Sequence, residues 1–429
     1  MEQLYSIFKK SAGISTDTRT IAKNTLFFAL KGENFDANTM VDKALENGDL
    51  HVVTTNKDFI GDNRATVVDD TLQTLQQLAA YHRQQLDIPI VGITGTNGKT
   101  TTKELVSAVL RRKYKVFATK GNLNNHIGVP LSLLSISDDD DMAVIEMGAS
   151  HPGEIRDLAA IVCPTCGLIT NVGIAHIQGF GSFEGVKRTK GELYAQLKKT
   201  NGTIFINAGN ENLVGMVGDY EHCISYGIDS DMCYVDGHLT EMTETLNFEW
   251  RANNGLYRQV QTNMTGAYNL ENALAAATVG CFFDVPETEI CVALSEYKPT
   301  NSRSQIVVTE RNKVIVDAYN ANPSSMNASV DNFAQLAGDG KTVILGAMRE
   351  LGDQQTPQHL ALLKKLQSLG FETVILVGNE FAEFKNEFPK FKFYSVVDEV
   401  IDDAKALNGK YILVKGSNSN HLGRLIEYL

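Results

Sequence analysis

The sequence predicts an α/β protein in three domains, and three observations carry that expectation. The chain has 429 residues, too long for one ordinary hydrophobic core. From about residue 85 onward, strand-like apolar runs alternate with helix-like runs, the βαβ signature of a largely parallel sheet. A polar, Pro-containing cluster at 298–303 interrupts the alternation, which then resumes. The expected units are a small α/β domain (1–84), a central parallel-sheet domain carrying a phosphate loop (85–299) and a C-terminal Rossmann-like domain (300–429).

Element by element, Leu4, Ile7 and Phe8 at helical spacing, mixed with Glu2, Lys9 and Lys10, predict an amphipathic first helix rather than a signal peptide. Short strands are expected at 25–31 and 50–55 around a helical stretch at 39–47, followed by a helix over 71–85. Strands at 88–94, 115–118 and 142–147 and a helix over 101–112 open the central domain. Short β segments between 202 and 265 and an Ala-rich helix over 268–282 close it. Beyond the linker, strands are expected at 314–318, 342–345, 373–377 and 411–415, with helices over 325–336 and 359–369.

Composition narrows the function. A net charge of -12 argues against nucleic acid or an anionic membrane as a partner, so an anionic substrate would need a local basic site. No apolar run approaches the roughly 18 residues of a membrane span, which excludes membrane insertion. Six scattered cysteines are too sparse for a disulfide framework, and a cytoplasmic setting is expected. The pair in Cys163-Pro-Thr-Cys166 lacks the second ligand pair of a zinc site and is expected to pack in the core.

The strongest local signal is Val91-Gly-Ile-Thr-Gly-Thr-Asn-Gly-Lys-Thr-Thr-Thr-Lys103, a strand running through a glycine-rich turn into a helix. Backbone N–H groups from Gly95, Thr96, Asn97, Gly98 and Thr101, the helix N-terminus and Lys99 can together surround phosphates, while the Thr100 hydroxyl can bind Mg²⁺. Glu146 ends an expected strand, at the sheet edge where α/β proteins bind ligands, and can hold Mg²⁺ or cap the next turn. Lys99 and Arg303 are the candidate cations for gathered anions.

The loop Thr94-Gly-Thr-Asn-Gly-Lys-Thr-Thr101 closely resembles the ATP loop of the Mur ligase family. Further matches follow in the family's order: Gly121-Asn-Leu-Asn-Asn-His-Ile-Gly-Val-Pro130, Glu146-Met-Gly-Ala-Ser-His151, Thr170-Asn-Val-Gly-Ile-Ala-His176, Thr189-Lys-Gly-Glu192, Tyr268-Asn-Leu-Glu-Asn272, Ser302-Arg303, Asp317-Ala-Tyr-Asn-Ala-Asn-Pro323 and Lys415-Gly-Ser417. Within the family, Gly179-Phe-Gly-Ser-Phe-Glu-Gly-Val186 and Gly346-Ala-Met-Arg-Glu-Leu-Gly352 are most similar to the member that joins D-alanyl-D-alanine to UDP-N-acetylmuramoyl-tripeptide. The alternatives are a sister ligase adding the third residue, a folylpolyglutamate synthase, or a non-catalytic nucleotide-gated binding module. Phe35-Asp-Ala-Asn38 and Asn418 depart from the family's usual Phe-Asp-Gly-His and Gly-Ser-Arg-Ser.

The resemblance implies an ATP-dependent amide ligase working through an acyl phosphate with two Mg²⁺ ions, expected to be monomeric, with the first domain binding the UDP-substrate. It implies catalytic roles for Lys99, Glu146, His176, Lys190 and Arg303. His176 would hold the second Mg²⁺, and Lys190 would be carbamylated into an anionic metal ligand. Read without it, His176 is an ordinary polar contact and Lys190 a solvent-facing helix residue. Asn272 would contact adenine, with an exposed helix asparagine as the alternative, and Arg303, Asp317 and Asn320 would reach ATP from the last domain. Asn122 and Asn125 would contact the muramoyl substrate, and Thr18, Arg19 and Lys31 the UDP end, where plain surface residues are the alternative.

Overall fold

Asp70 accepts a hydrogen bond from Gln73 N and so starts the helix Thr71–Gln85, whose Leu75, Leu78 and Ala79 face inward at helical spacing. The computed structural model, which describes residues 1–19, 23–32, 34–48, 50–300 and 302–429 and only the backbone of Met242, packs this face on two layers at once. Leu75 and Leu78 share one core with Leu4 and Phe8 on one side and with Val129, Leu133 and Ile155 on the other. His82 links the same pieces: Nδ1 lies 3.1 Å from Tyr5 Oη and Nε2 lies 3.2 Å from the Ile136 carbonyl. Burial lowers its pKa, which favours the neutral ring. Asn301 of the expected linker lies outside the described residues.

Three sheets organise the described residues. The first is parallel, in the order Ile14–Ser15, Leu26–Phe28, His51–Thr54, Ala65–Val67. The second runs Arg258–Gln261, Leu246–Ala252, Val235–Met242, Cys223–Ile228, Thr203–Asn207, Cys166–Ile169, Ile90–Thr94, Met142–Glu146, Val116–Ala118. From Val235–Met242 onward every neighbour is parallel, whereas the first two strands extend that edge antiparallel. The third runs Gln305–Val308, Lys313–Asp317, Tyr411–Lys415, Lys341–Gly346, Thr373–Val377, Lys392–Tyr394, parallel apart from the opening hairpin.

The middle of the second sheet is covered on both faces, which is why Ile90–Thr94 and Met142–Glu146 read as unbroken apolar runs. Val91, Ile93 and Val144 pack against Val106 and Leu274 on one face. Ile90, Ala143 and Ile145 pack against Leu158 and Leu193 on the other. The chain leaves Ile90–Thr94 toward one side of the sheet and later returns at Cys166–Ile169 on the other. Their following loops diverge at this switch point and open a crevice at the carboxyl ends of the strands. Cys166 is buried as expected, but Cys163 is exposed. It ends the helix Glu154–Val162 in a left-handed conformation (φ 42°) that turns its side chain away from the core.

Gly92 and Gly167 are register partners in the two strands that flank the switch point. A Cβ on Gly167 would lie 2.4 Å from the Gly92 carbonyl oxygen. Gly167→Ala is therefore expected to cost about 1–3 kcal/mol by forcing the strands apart. Urea unfolding followed by Trp250 fluorescence measures it, and an unchanged midpoint would show that the strands can separate freely.

Candidate functional site

The phosphate loop is shaped by its neighbours before any ligand arrives. Asn97 N donates to Asn171 Oδ1 (3.0 Å), while the Asn97 carbonyl accepts from Thr170 Oγ1 (2.5 Å) and Asn171 Nδ2 (3.1 Å). Thr96 Oγ1 accepts from Gly173 N at 3.0 Å. The loop after one strand is thus tied to the loop after its neighbour. Gly95 sits at φ 145°, and a Cβ there would fall 2.0 Å from Thr170 Oγ1. Both the backbone angle and the space require glycine.

Lys99, at the N-terminus of the helix Lys99–Leu110, curls back so that Nζ donates to the Gly95 and Thr96 carbonyls at 2.9 and 3.0 Å. Burial lowers its pKa, the Glu146 carboxylate opposes that shift, and Arg303 adds to it. Glu146 ends its strand at 1% exposure. Its Oε1 accepts from Asn124 Nδ2 at 2.7 Å, and its Oε2 is buried with no hydrogen-bond partner among the described residues. A buried, unpaired carboxylate oxygen in a cleft that Thr100 and the phosphate loop also line suits a hard cation such as Mg²⁺. Among the described residues no three His, Cys, Asp or Glu side chains form a ready-made cage, so phosphate oxygens would have to complete the coordination.

These groups line a cleft of about 810 Å³ between the second and third sheets, with Gln76 reaching in from the first domain. Among the sequence-derived candidates, Thr96, Asn97, Gly98, Lys99, Thr100, Thr101, Asn125, Glu146, His176, Asn272, Arg303, Asp317 and Asn320 line it. Arg303 stacks 3.8 Å above the Tyr319 ring, and its Nε is buried without a hydrogen-bond partner among the described residues. Asp317 Oδ2 accepts from Lys415 Nζ (2.6 Å) and Ser329 Oγ (2.9 Å), a buried pair between register partners of adjacent strands. Asn322 Nδ2 from the third sheet's domain donates to Asn97 Oδ1 at 2.7 Å, and Ser324 Oγ accepts from Ile174 N at 3.3 Å. The two domains meet on the loop itself.

Lys190 corrects the solvent-facing alternative, being 2% exposed on the inner face of the helix Phe183–Thr200. Its Nζ lies 3.4 Å from the Ala149 carbonyl and 5.4 Å from the centre of the Phe180 ring. Burial, reinforced by Lys99, brings its pKa down to about 7. Two residues on, Glu192 accepts from Gly153 N (3.0 Å) and Arg156 N (2.8 Å), holding the loop that begins at Glu146. His176 adopts a left-handed conformation (φ 51°), and Nδ1 meets the Glu350 carboxylate of the third domain. Burial lowers its pKa, partly offset by Glu350.

Other expectations fare differently. Asn272 is buried, not an exposed helix residue: Oδ1 accepts from Thr102 Oγ1 (3.0 Å) and Nδ2 donates to Asn269 Oδ1 (2.9 Å), so it braces the loop's helix from behind. Asn122 is exposed and outside the cleft lining, whereas Asn124, two residues on, touches Glu146; spacing alone could not rank the asparagines of one loop. Arg19 is exposed and paired with Asp17, Lys31 is exposed and paired with Asp36, and neither they nor Thr18 line the cleft. Asn38, at the departure from the family pattern, staples the first domain by accepting from Thr54 Oγ1 and Thr55 N, each at 2.8 Å. Asn124, Asn322, Ser324, Glu350 and Lys415 went unassigned in the sequence, although most lie within recognised motifs.

Residues 93–280 match the family model described as the Mur ligase middle domain, and residues 302–418 match the Mur ligase, glutamate ligase domain. The chain is 37% identical over 352 residues to the UDP-N-acetylmuramoyl-tripeptide–D-alanyl-D-alanine ligase of Bacillus subtilis (strain 168), covering 81% of this chain and 76% of that relative. It is 32% identical to the Escherichia coli (strain K12) enzyme of the same name, covering 97% and 93%. Among solved structures, MurF from Acinetobacter baumannii superposes with a TM-score of 0.88 at 28% identity, covering 99% of this chain and 97% of that one. MurF ligase from Thermotoga maritima in complex with ADP gives 0.86 at 25%, covering 98% and 97%.

The cleft geometry makes Gly95 decisive. Gly95→Ala is expected to abolish binding of an ATP analogue measured by calorimetry, because the loop must break its contact with Thr170 to admit the methyl group. Parent-like nucleotide affinity would show that the loop does not cradle phosphate.

Proposed function

Because the chain belongs to the Mur ligase family, we propose that it is the ATP-dependent ligase joining D-alanyl-D-alanine to UDP-N-acetylmuramoyl-tripeptide in peptidoglycan precursor synthesis. The observation that carries this reading is similarity to ligases of that name along almost the whole chain. The substrate carboxylate oxygen attacks the γ-phosphorus of ATP, the bond to the β-phosphate oxygen breaks, and ADP leaves. The amine of D-alanyl-D-alanine then attacks the acyl carbon, loses a proton and expels phosphate.

The chain's own residues divide this work. Lys99 and the loop N–H groups hold the β- and γ-phosphates, and Arg303 offers its unpaired guanidinium edge to the migrating phosphoryl group. Thr100 and Glu146 would hold one Mg²⁺, and His176 with a carbamate on Lys190 would hold a second. When bound, these ions neutralise the phosphate oxygens and screen the incoming carboxylate from them. The amine of Lys190, with its pKa near 7, is nucleophilic at neutral pH, so it can add CO₂ to give a carbamate and release a proton. In this reading Asn272, Asp317 and Asn320 would serve the nucleoside, Asn125 and Asn122 the muramoyl group, and Thr18, Arg19 and Lys31 the UDP end. Domains 1–84, 85–299 and 300–429 accordingly bind UDP-substrate, bind ATP and close over the acyl phosphate to exclude water. We assign a cytoplasmic monomer to this role; among the described residues no helix is long and apolar enough to cross a membrane.

Phosphate release that requires UDP-N-acetylmuramoyl-tripeptide and D-alanyl-D-alanine together tests the assignment. Release with a single amino acid in place of the dipeptide would point to a sister ligase instead. Lys99→Ala is expected to lower that rate by about 10²-fold or more with circular dichroism unchanged, and near-parental turnover would remove it from the site. Lys190→Ala should be almost inactive and partly rescued by acetate, which supplies two oxygens in the vacated space. Rescue by chloride at equal ionic strength would indicate screening instead, and full activity without acetate would dismiss the carbamate.

A further inference from the structure

The loop Gly346-Ala-Met-Arg-Glu-Leu-Gly352 leaves the end of a third-domain strand, and the reaction as described gives it no task. Its root is fixed: the Met348 N–H donates to His359 Nε2 at 3.1 Å, and His359 is fully buried. From there Glu350 crosses to the central domain and makes two contacts at one place. Its carbonyl accepts from Gln178 N at 3.4 Å, and its carboxylate meets His176 Nδ1. Glu350 and His176 are both non-glycine residues held at left-handed backbone angles, φ 63° and φ 51°. Such angles are disfavoured for residues with a Cβ and persist where the surroundings impose them. Two strained residues from two domains therefore meet in a single contact.

We propose that Glu350 is a positioning residue for His176, fixing the imidazole through Nδ1 so that Nε2 keeps its lone pair for a metal ion only while the third domain is docked. The inference rests on the reading of His176 as a metal donor. A neutral imidazole carries one proton, and a carboxylate at Nδ1 holds it there. Partners of this kind orient metal-binding histidines in general, and their loss weakens metal affinity about 10–100-fold. Here the partner arrives from another domain, so docking and completion of the donor are one event.

The experiment uses Glu350→Gly, Glu350→Gln and His176→Ala in the full chain. Glycine suits φ 63° better than glutamate does, so Glu350→Gly removes the carboxylate without burdening the backbone and is expected to melt no lower than the parent. Two measurements follow: histidine side-chain ¹⁵N spectra, with His176 assigned by its absence in His176→Ala, and Mn²⁺ affinity with a non-hydrolysable ATP analogue. In Glu350→Gly the His176 proton should move toward Nε2 and Mn²⁺ affinity should fall about 10–100-fold. Glu350→Gln, whose amide oxygen can stand where the carboxylate oxygen meets Nδ1 and accept its proton, should retain the parent tautomer and part of the affinity. A parent tautomer in Glu350→Gly, or parent Mn²⁺ affinity there while His176→Ala weakens it, overturns the inference alone. Unchanged Mn²⁺ affinity in His176→Ala overturns the metal reading, and the inference with it.

Discussion

The site depends on how Asn97 is held. Its backbone N–H and carbonyl are tied to Asn171 and Thr170, and its side-chain oxygen receives Asn322 from the third domain. One residue thus joins the ends of two adjacent parallel strands and the surface on which another domain docks. A phosphate loop needs several N–H groups aimed at one point, which a free glycine-rich turn would not maintain because glycine costs the most conformational entropy to order. The flanking bonds supply that order in advance, so less of the ligand's binding energy goes into arranging the loop.

Charge is arranged by the same logic. The chain as a whole is acidic, yet Lys99, Arg303 and Lys415 converge on the cleft. Lys415 is neutralised by Asp317, whereas the unpaired Arg303 Nε and Glu146 Oε2 are groups whose burial is costly unless a ligand satisfies them. A site that takes up ATP benefits from both signs being left open. Two further carboxylates, Glu154 and Glu192, each accept from two backbone N–H groups and so hold the loop after Glu146 in place.

Parallel sheets put all of this at one edge. Thr94, Glu146 and Ile169 end neighbouring strands, so residues 95–99, 147–153 and 170–176 leave the sheet side by side although far apart in sequence. The third domain repeats the device with Asp317, Gly346 and Lys415 at the ends of its adjacent strands. Two sheets whose carboxyl edges both supply lining residues produce the cleft between them.

The sequence by itself determined the α/β alternation, the phosphate loop and the family. Each depends on local signals: apolar runs of strand length, a Gly-Thr-Asn-Gly-Lys turn between strand and helix, and motifs in a fixed order. It also marked Glu146, because a carboxylate closing an apolar strand is visible in one line of residues. The tertiary structure decided what depends on a partner distant in sequence. Burial of Lys190 comes from how its helix packs on the sheet, and the bracing role of Asn272 depends on Thr102, 170 residues earlier. The ranking of Asn124 over Asn122 required knowing which side chain reaches Glu146 across 22 residues. Glu350 lies inside the recognised motif 346–352, but the motif does not show its role, since its significance lies in a contact between domains that periodicity cannot register.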